Sequence, residues 1–190
     1  MTHHLSTLRL ILREWRDSDL APYAALNADP EVRKHFAALL TTAESNDEAA
    51  RIRQHFADHG FGFFAVGVPS VSDFIGFNGI ACGSFDLPGR GTDWHEIGWR
   101  YARAHWGHGY AIEGAQAVVD HAFRELHLAE VIAITTPANR RSRKVMERLG
   151  MTHDPADDFD HPNLPEGHPA RPHVLYRMTA NRYAALHTSA

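Results

Sequence analysis

Apolar residues recur along this chain with two periods, and the switches between them lay out its elements. Leu8, Leu10 and Leu12 alternate with Arg9, Ile11 and Arg13, which predicts a first strand buried on at least one face. Asp17, Ser18 and Asp19 then offer N-caps to a helix carrying Leu20, Tyr23, Ala24 and Leu26. Asp29-Pro30-Glu31 predicts a second, short helix, with Pro30 in its first turn, where the missing N–H costs nothing. Ser45 and Glu48 have the spacing of a capping box ahead of Ala49, Ile52 and Phe56, and Gly60 is placed to end that helix.

Gly62 to Val68 and Phe74 to Ala81 read as two strands joined by a turn around Pro69 and Ser70, a hairpin. A Gly/Pro-rich turn from Leu87 to Thr92 leads into a third strand-like run, Trp94 to Tyr101. The strongest helical period begins past Gly109, where Ala111, Ile112, Ala115, Val118, Val119, Ala122, Phe123 and Leu126 recur at three and four residues. Val131 to Thr135 is a short apolar strand, and Asn139 to Leu149 a basic helix stopped by Gly150. Asp154 to Pro172 has no periodicity and reads as a long structureless connection. Val174 to Met178 makes a last strand and Asn181 to Leu186 a last short helix. Strands and helices in this order predict an α/β (α+β) fold, and the hairpins argue against a purely parallel sheet.

Composition narrows the class. The 190 residues are 44% hydrophobic and 22% charged, an ordinary globular balance, and they are most simply one domain spanning 1–190 with its core at about 8–183. A net charge of −4 lowers the expectation of nucleic-acid binding. The single cysteine, Cys82, excludes an intrachain disulfide and Cys-rich zinc motifs and fits a reducing cytoplasm. No apolar run approaches the ~20 residues of a membrane span, and residues 1–12 lack the pattern of a secretory signal. The 15 histidines first suggest a metal protein. Their spacing suggests instead a cleft whose charge changes between pH 5 and 8, and no metal is expected.

The chemistry-bearing segment is His105-Trp106-Gly107-His108-Gly109-Tyr110-Ala111, between a strand and the long amphipathic helix. Its glycines let successive N–H groups point at one spot, and the helix N-terminus adds partial positive charge, so it reads as a phosphate or pyrophosphate cradle. It lacks the Gly-Lys-Ser/Thr ending of a P-loop and the third glycine of a dinucleotide fingerprint. Glu96-Ile97-Gly98-Trp99 stands before it, and Asn139-Arg140-Arg141-Ser142-Arg143-Lys144-Val145 to Gly150-Met151 comes a strand later. In this combination the chain resembles the GNAT superfamily of acyl-CoA-dependent N-acetyltransferases, and its RimJ/RimL-type branch in particular. Trp106 departs from the Gln or Arg usual at its position, whereas Gly109 and Ala111 keep theirs.

The resemblance implies a GNAT-like fold: a mixed, largely antiparallel central sheet with flanking helices and a splayed strand pair at the cosubstrate site. It implies acetyl-CoA as cosubstrate and a primary amine as acceptor, either a small molecule or a peptide N-terminus, in a monomer or homodimer. Backbone groups of Tyr101, Ala102 and Arg103 would pair with the pantetheine arm, and N–H groups of Trp106, Gly107, His108, Gly109, Tyr110 and Ala111 would receive the pyrophosphate. Asn139 would lie near the pantetheine and Ser142 near the sulfur, with Arg143 and Lys144 as the preferred partners of the 3′-phosphate.

Transfer would be direct attack of the neutral amine in a ternary complex. Glu96 is the first choice of general base, acting through water, with His95 as substitute. Ser142 is the preferred acid for the leaving thiolate, with Tyr176 behind it. The long loop carries Asp157, Asp158 and Asp160, which would favour a cationic amine, and His173 is expected to face the cleft. Two other classes compete: a catalytically degenerate acyl-CoA-binding sensor or structural protein, and, distantly, a histidine-based metal protein.

Overall fold

The computed structural model describes residues 4–188. Its strands are β1 (His4–Ser6), β2 (Ile11–Arg13), β3 (Phe63–Val68), β4 (Ser72–Cys82), β5 (His95–Tyr101), β6 (Glu130–Thr135), β7 (Thr152–His153), β8 (Phe159–Asp160) and β9 (Pro172–Thr179). The α-helices are α1 (Leu20–Asn27), α2 (Thr42–His59), α3 (Tyr110–Arg124), α4 (Arg140–Arg148) and α5 (Ala180–His187). The sheet runs β1-β2-β3-β4-β5-β6-β9-β7, with β8 added on β9. Every pairing is antiparallel except β5 with β6. This is the mixed, largely antiparallel sheet with flanking helices that the sequence predicts.

The exception positions the site. From β4 to β5 seven residue pairs stay in register, whereas the parallel pair β5/β6 registers only at Glu96↔Ile132. Beyond that point the strands diverge, and the sheet opens as a V toward Tyr101 on one side and Thr135 on the other. The main core includes Leu10, Leu12, Ile75, Ile80, Val118 and Met178. A second, smaller cluster of Phe85, Leu87, Trp94, Ile132 and Leu175 closes the pointed end of the V, and Phe159 packs on it.

Four local expectations are corrected. The first strand is a hairpin, and Leu8, 96% exposed, sits at its turn, where the Leu10 N–H bonds Thr7 Oγ1 at 2.9 Å. Leu10 and Leu12 alone carry the inward alternation. Asp29-Pro30-Glu31 forms turns rather than a helix, because bonds such as Arg33 N–H to Asp29 O are not repeated along the segment. The capping box of α2 is Thr41/Glu44, not Ser45/Glu48. Both pairs have the same spacing, but Ser45 and Glu48 are turned inward to Asn27, Tyr23 and Arg100.

The connection 154–172 is also more ordered than expected. It holds a short 3-10 turn at Pro155–Asp157 and the strand β8, and the His161 N–H bonds Arg171 O at 2.8 Å. Gly60 ends α2 in the left-handed conformation as the sequence predicts, with φ 76°.

Candidate active site

A cleft of about 940 Å³ fills the open end of the V. One wall is the end of β5, with Trp99, Arg100 and Tyr101, and the opposite wall is the start of α4, with Asn139 to Ser142, Lys144, Val145 and Arg148. The floor is the cradle, to which His105, Trp106, Gly107, Gly109, Tyr110 and Ala111 contribute. Glu31, Val32, Lys34, His35 and Phe36, from the irregular segment between α1 and α2, close the remaining side.

The cradle takes its shape from two glycines. Gly107 and Gly109 stand at φ 82° and 80°, a left-handed backbone in which other residues are strained, and Gly109 is the N-cap of α3. The first N–H groups of α3, at Tyr110, Ala111 and Ile112, have no partner within the helix and carry the positive end of its dipole. Arg9 braces the turn from outside: its Nη1 bonds His108 O at 2.9 Å, while Nε holds Glu113 at 2.6 Å. His108 is stacked on Tyr110 and does not border the cleft.

Cations gather on the facing helix. Arg140, Arg141, Lys144 and Arg148 share the cleft side of α4, and the Arg141 guanidinium lies 4.4 Å above the Trp106 ring. Arg143, expected to join Lys144 at a phosphate, falls on another side of the helix. Its Nε bonds Tyr176 Oη at 3.2 Å and its Nη1 bonds Pro137 O. Helical periodicity explains the split: at about 3.6 residues per turn Arg140, Lys144, Arg148 and Arg141 fall within one arc of about 100°, and Arg143 lies outside it.

Asn139 orders the start of α4. Its Oδ1 accepts from the Ser142 N–H, and its Nδ2 donates to Thr135 Oγ1 at 2.9 Å and Ser142 Oγ at 3.2 Å. Ser142 Oγ therefore accepts from Asn139 and keeps its own proton for another acceptor.

Glu96 lies at the vertex of the V, between Ala81 and Ile132, behind the cleft wall rather than on it. Burial pushes its carboxyl up to about 7, against the downward pull of Arg100. Arg100 shares Glu96's face of β5 by alternation. Its Nη1 bonds Asn27 Oδ1 at 2.7 Å and Glu48 Oε2 at 3.2 Å, its guanidinium covers the Phe36 ring, and its Nε is buried without a hydrogen-bond partner among the described residues. His35 bonds Thr136 Oγ1 at 3.3 Å, and burial lowers its pKa.

Several expected site groups are already engaged elsewhere. Tyr101 O accepts from Trp106 Nε1 at 2.7 Å and keeps a second lone pair, whereas the single donor of Ala102, its N–H, is used by Ile75 O. Ala102 and Arg103 do not border the cleft. Tyr176 is buried, with Oη bonded to Glu147 Oε1 at 3.1 Å and its ring stacked on His153. It does not border the cleft.

Two loop acids are paired with arginines, Asp157 with Arg177 and Asp160 with Arg171 at 3.2 Å, and Asp158 hydrogen-bonds His153 Nε2 at 2.8 Å. All three are engaged within the loop region and lie outside the cleft, as does His173, whose ring packs on Phe159 and His161. His95 is at the far end of β5, beside Phe61. Sequence reasoning missed Arg100 and the segment Glu31 to Phe36. A charged residue inside an apolar strand was a signal for Arg100; for the segment there was none, because only the chain path brings it over the V.

The family model for the acetyltransferase (GNAT) domain matches residues 9–152, which include β2 to β6, the cradle and α4. The chain belongs to the GNAT acetyltransferase family. It is 37% identical over 138 residues to the FsC-acetyl coenzyme A-N(2)-transacetylase of Aspergillus fumigatus, covering 67% of this chain and 56% of that one. Among solved structures, an acetyltransferase from Agrobacterium tumefaciens superposes with a TM-score of 0.75 at 27% identity, over 93% of this chain and 94% of that one. RimL, a ribosomal L7/L12 alpha-N-protein acetyltransferase in complex with coenzyme A, shares the fold at 12% identity, with a TM-score of 0.72 over 95% and 99% of the two chains. GNAT enzymes as a family use acetyl-CoA and an amine acceptor. Among the described residues, no helix is long and apolar enough to cross a membrane.

Proposed function

We propose that this GNAT acetyltransferase moves the acetyl group of acetyl-CoA to a primary amine of low pKa, such as the α-amine of a peptide or small molecule. The observation that carries the reading is the continuity of three features: the V between β5 and β6, the glycine cradle at the start of α3, and the row of cations on α4. The cradle amides suit a pyrophosphate. Lys144, with Arg140, Arg141 and Arg148, suits a further phosphate, in place of the pair Arg143 and Lys144. Asn139 orients Ser142, and the free edge of β5 within the V suits an amide-bearing arm.

In this reading the neutral amine attacks the thioester carbonyl directly. Glu96 takes the amine proton through water, Ser142 protonates the departing thiolate, and backbone N–H groups at the V stabilise the oxyanion. A base near 7 matches an α-amine: at pKa about 7.7 roughly 15–20% of such an amine is neutral at pH 7, against about 0.04% for a lysine at 10.4. The amine approaches from the side of Arg100, His35 and Phe36. The relative named for N(2)-transacetylation of FsC and the RimL neighbour support an amine acceptor.

The test is calorimetry with acetyl-CoA followed by thiol-release assays on a panel of peptide N-termini, amino acids and lysine side-chain amines. Heat and a thermal shift, with faster turnover of α-amines, are expected. No binding overturns the reading, and binding without turnover on any amine converts the chain to an acyl-CoA binder.

A further inference from the structure

Away from the cleft, the C-terminal turn of α2 meets the end of β4. His55 and His59 are four residues apart on α2 and therefore share a face, and their rings lie 4.5 Å apart, centroid to centroid. Cys82, the only cysteine of the chain, is the last residue of β4 and is half-buried beside them. One donor atom from each of these three residues lies within 4.8 Å of the others, and Cys82 Sγ is 3.9 Å from His59 Nδ1.

The hydrogen bonds fix the tautomer of His55. Phe61 O can only accept, and it lies 2.8 Å from Nδ1, so Nδ1 carries the proton. Nε2 is then the lone-pair atom, and it receives the Cys82 N–H at 3.0 Å. A ring N–H anchored on a backbone carbonyl, with the other nitrogen left as the lone-pair atom, is the outer-shell arrangement of a metal-ligating histidine.

We propose that His55, His59 and Cys82 form a binding site for a zinc-class divalent ion, through two imidazole nitrogens and one thiolate with water in the fourth position. The donor set is the borderline-soft one that zinc favours. Tetrahedral bonds of about 2.0–2.3 Å place ligand atoms roughly 3.3–3.8 Å apart, so the 3.9 Å pair needs almost no movement and the widest needs about 1 Å. His59 is exposed and Cys82 half-buried, so both side chains have room for that adjustment. On binding, the metal replaces the Cys82 N–H at Nε2, and the thiol gives up its proton to solvent. Ligation needs the thiolate, so proton release is a measurable part of the binding. The ion would tie α2 to the end of β4, without touching the cleft.

The test uses the full chain and zinc or cobalt alone. One equivalent of zinc is expected, measured by competition with a chromophoric chelator, with about one proton released in calorimetry across buffers. At 100 times Kd the melting temperature should rise by about 5–10 °C. Cobalt should give a thiolate-to-metal charge-transfer band. Cys82→Ser should abolish the band, and both Cys82→Ser and His59→Gln should weaken binding at least 100-fold, with metal-free melting temperatures unchanged. His161→Ala, in the histidine-bearing loop, should bind as wild type does. No stoichiometric zinc, no charge-transfer band, or undiminished binding in Cys82→Ser and His59→Gln overturns the proposal. Loss in His161→Ala instead would place the metal elsewhere and overturn it equally.

Discussion

Glu96 is set by two opposed effects: burial at the vertex of the V raises its pKa, Arg100 lowers it, and the balance falls at about 7. The sign follows for a base. Below 7 the carboxyl holds its proton and cannot accept another, so kcat/KM is expected to climb with pH up to about 7 and then lose that limb. Glu96→Gln should remove this limb, leave the one belonging to the acceptor amine, and lower kcat by about 10²–10⁴-fold. A pH profile unchanged in Glu96→Gln would remove Glu96 from the reaction. Ser142→Ala should lower kcat at least tenfold while the acetyl-CoA Kd moves less than threefold, because Asn139 still donates to Thr135 and holds the start of α4. Equal kcat for this variant and wild type would dismiss the acid. Tyr176→Phe separates position from role: it loses the bonds to Glu147 and from Arg143, each worth about 0.5–1.5 kcal/mol, and should keep wild-type turnover, read from urea melts and initial rates.

At the scale of elements, α3 is held against the sheet by a close approach at Gly114. A Cβ there would lie 2.8 Å from Tyr101 Oη and 2.9 Å from Asn78 Nδ2, both on buried residues. Alanine gains up to about 1 kcal/mol in helix propensity, but crowding a packed site costs about 1–3 kcal/mol. Gly114→Ala is therefore expected to destabilise, and a urea midpoint above wild type would show the contact to be slack. At the other end of the same turn, Gly109→Glu combines a strained left-handed residue with a negative charge in the cradle. Acetyl-CoA affinity should fall more than 100-fold by calorimetry. The two consecutive Ser/Thr-x-x-Glu pairs at the start of α2 show where local signals stop. Thr41/Glu44 and Ser45/Glu48 are equivalent in spacing, and the choice between them was made by Arg100, which draws Glu48 inward from a strand 52 residues away.

For the whole molecule, the V divides the sheet into β1–β5 and β6–β9, joined at the vertex by one registered pair and by the small cluster around Trp94 and Ile132. A ligand filling the opening would bridge the halves. Acetyl-CoA at 100 times Kd should stabilise by about 2.7 kcal/mol and slow hydrogen exchange of the amides of β5 that face the gap. Protection confined to α5 would contradict that location. The sequence by itself determined the order of most strands and helices, the stop at Gly60, the cradle and the basic helix, because each rests on periodicity, turn chemistry or capping within a few residues. The hairpin at Leu8, the pairing of the loop acids and the side of α4 that faces the cleft were decided only in three dimensions. So was the segment Glu31 to Phe36 as a wall of the site, and so was the meeting of His55 and His59 with Cys82. Those features depend on which partner a side chain finds across the fold, and nothing in local spacing encodes that partner.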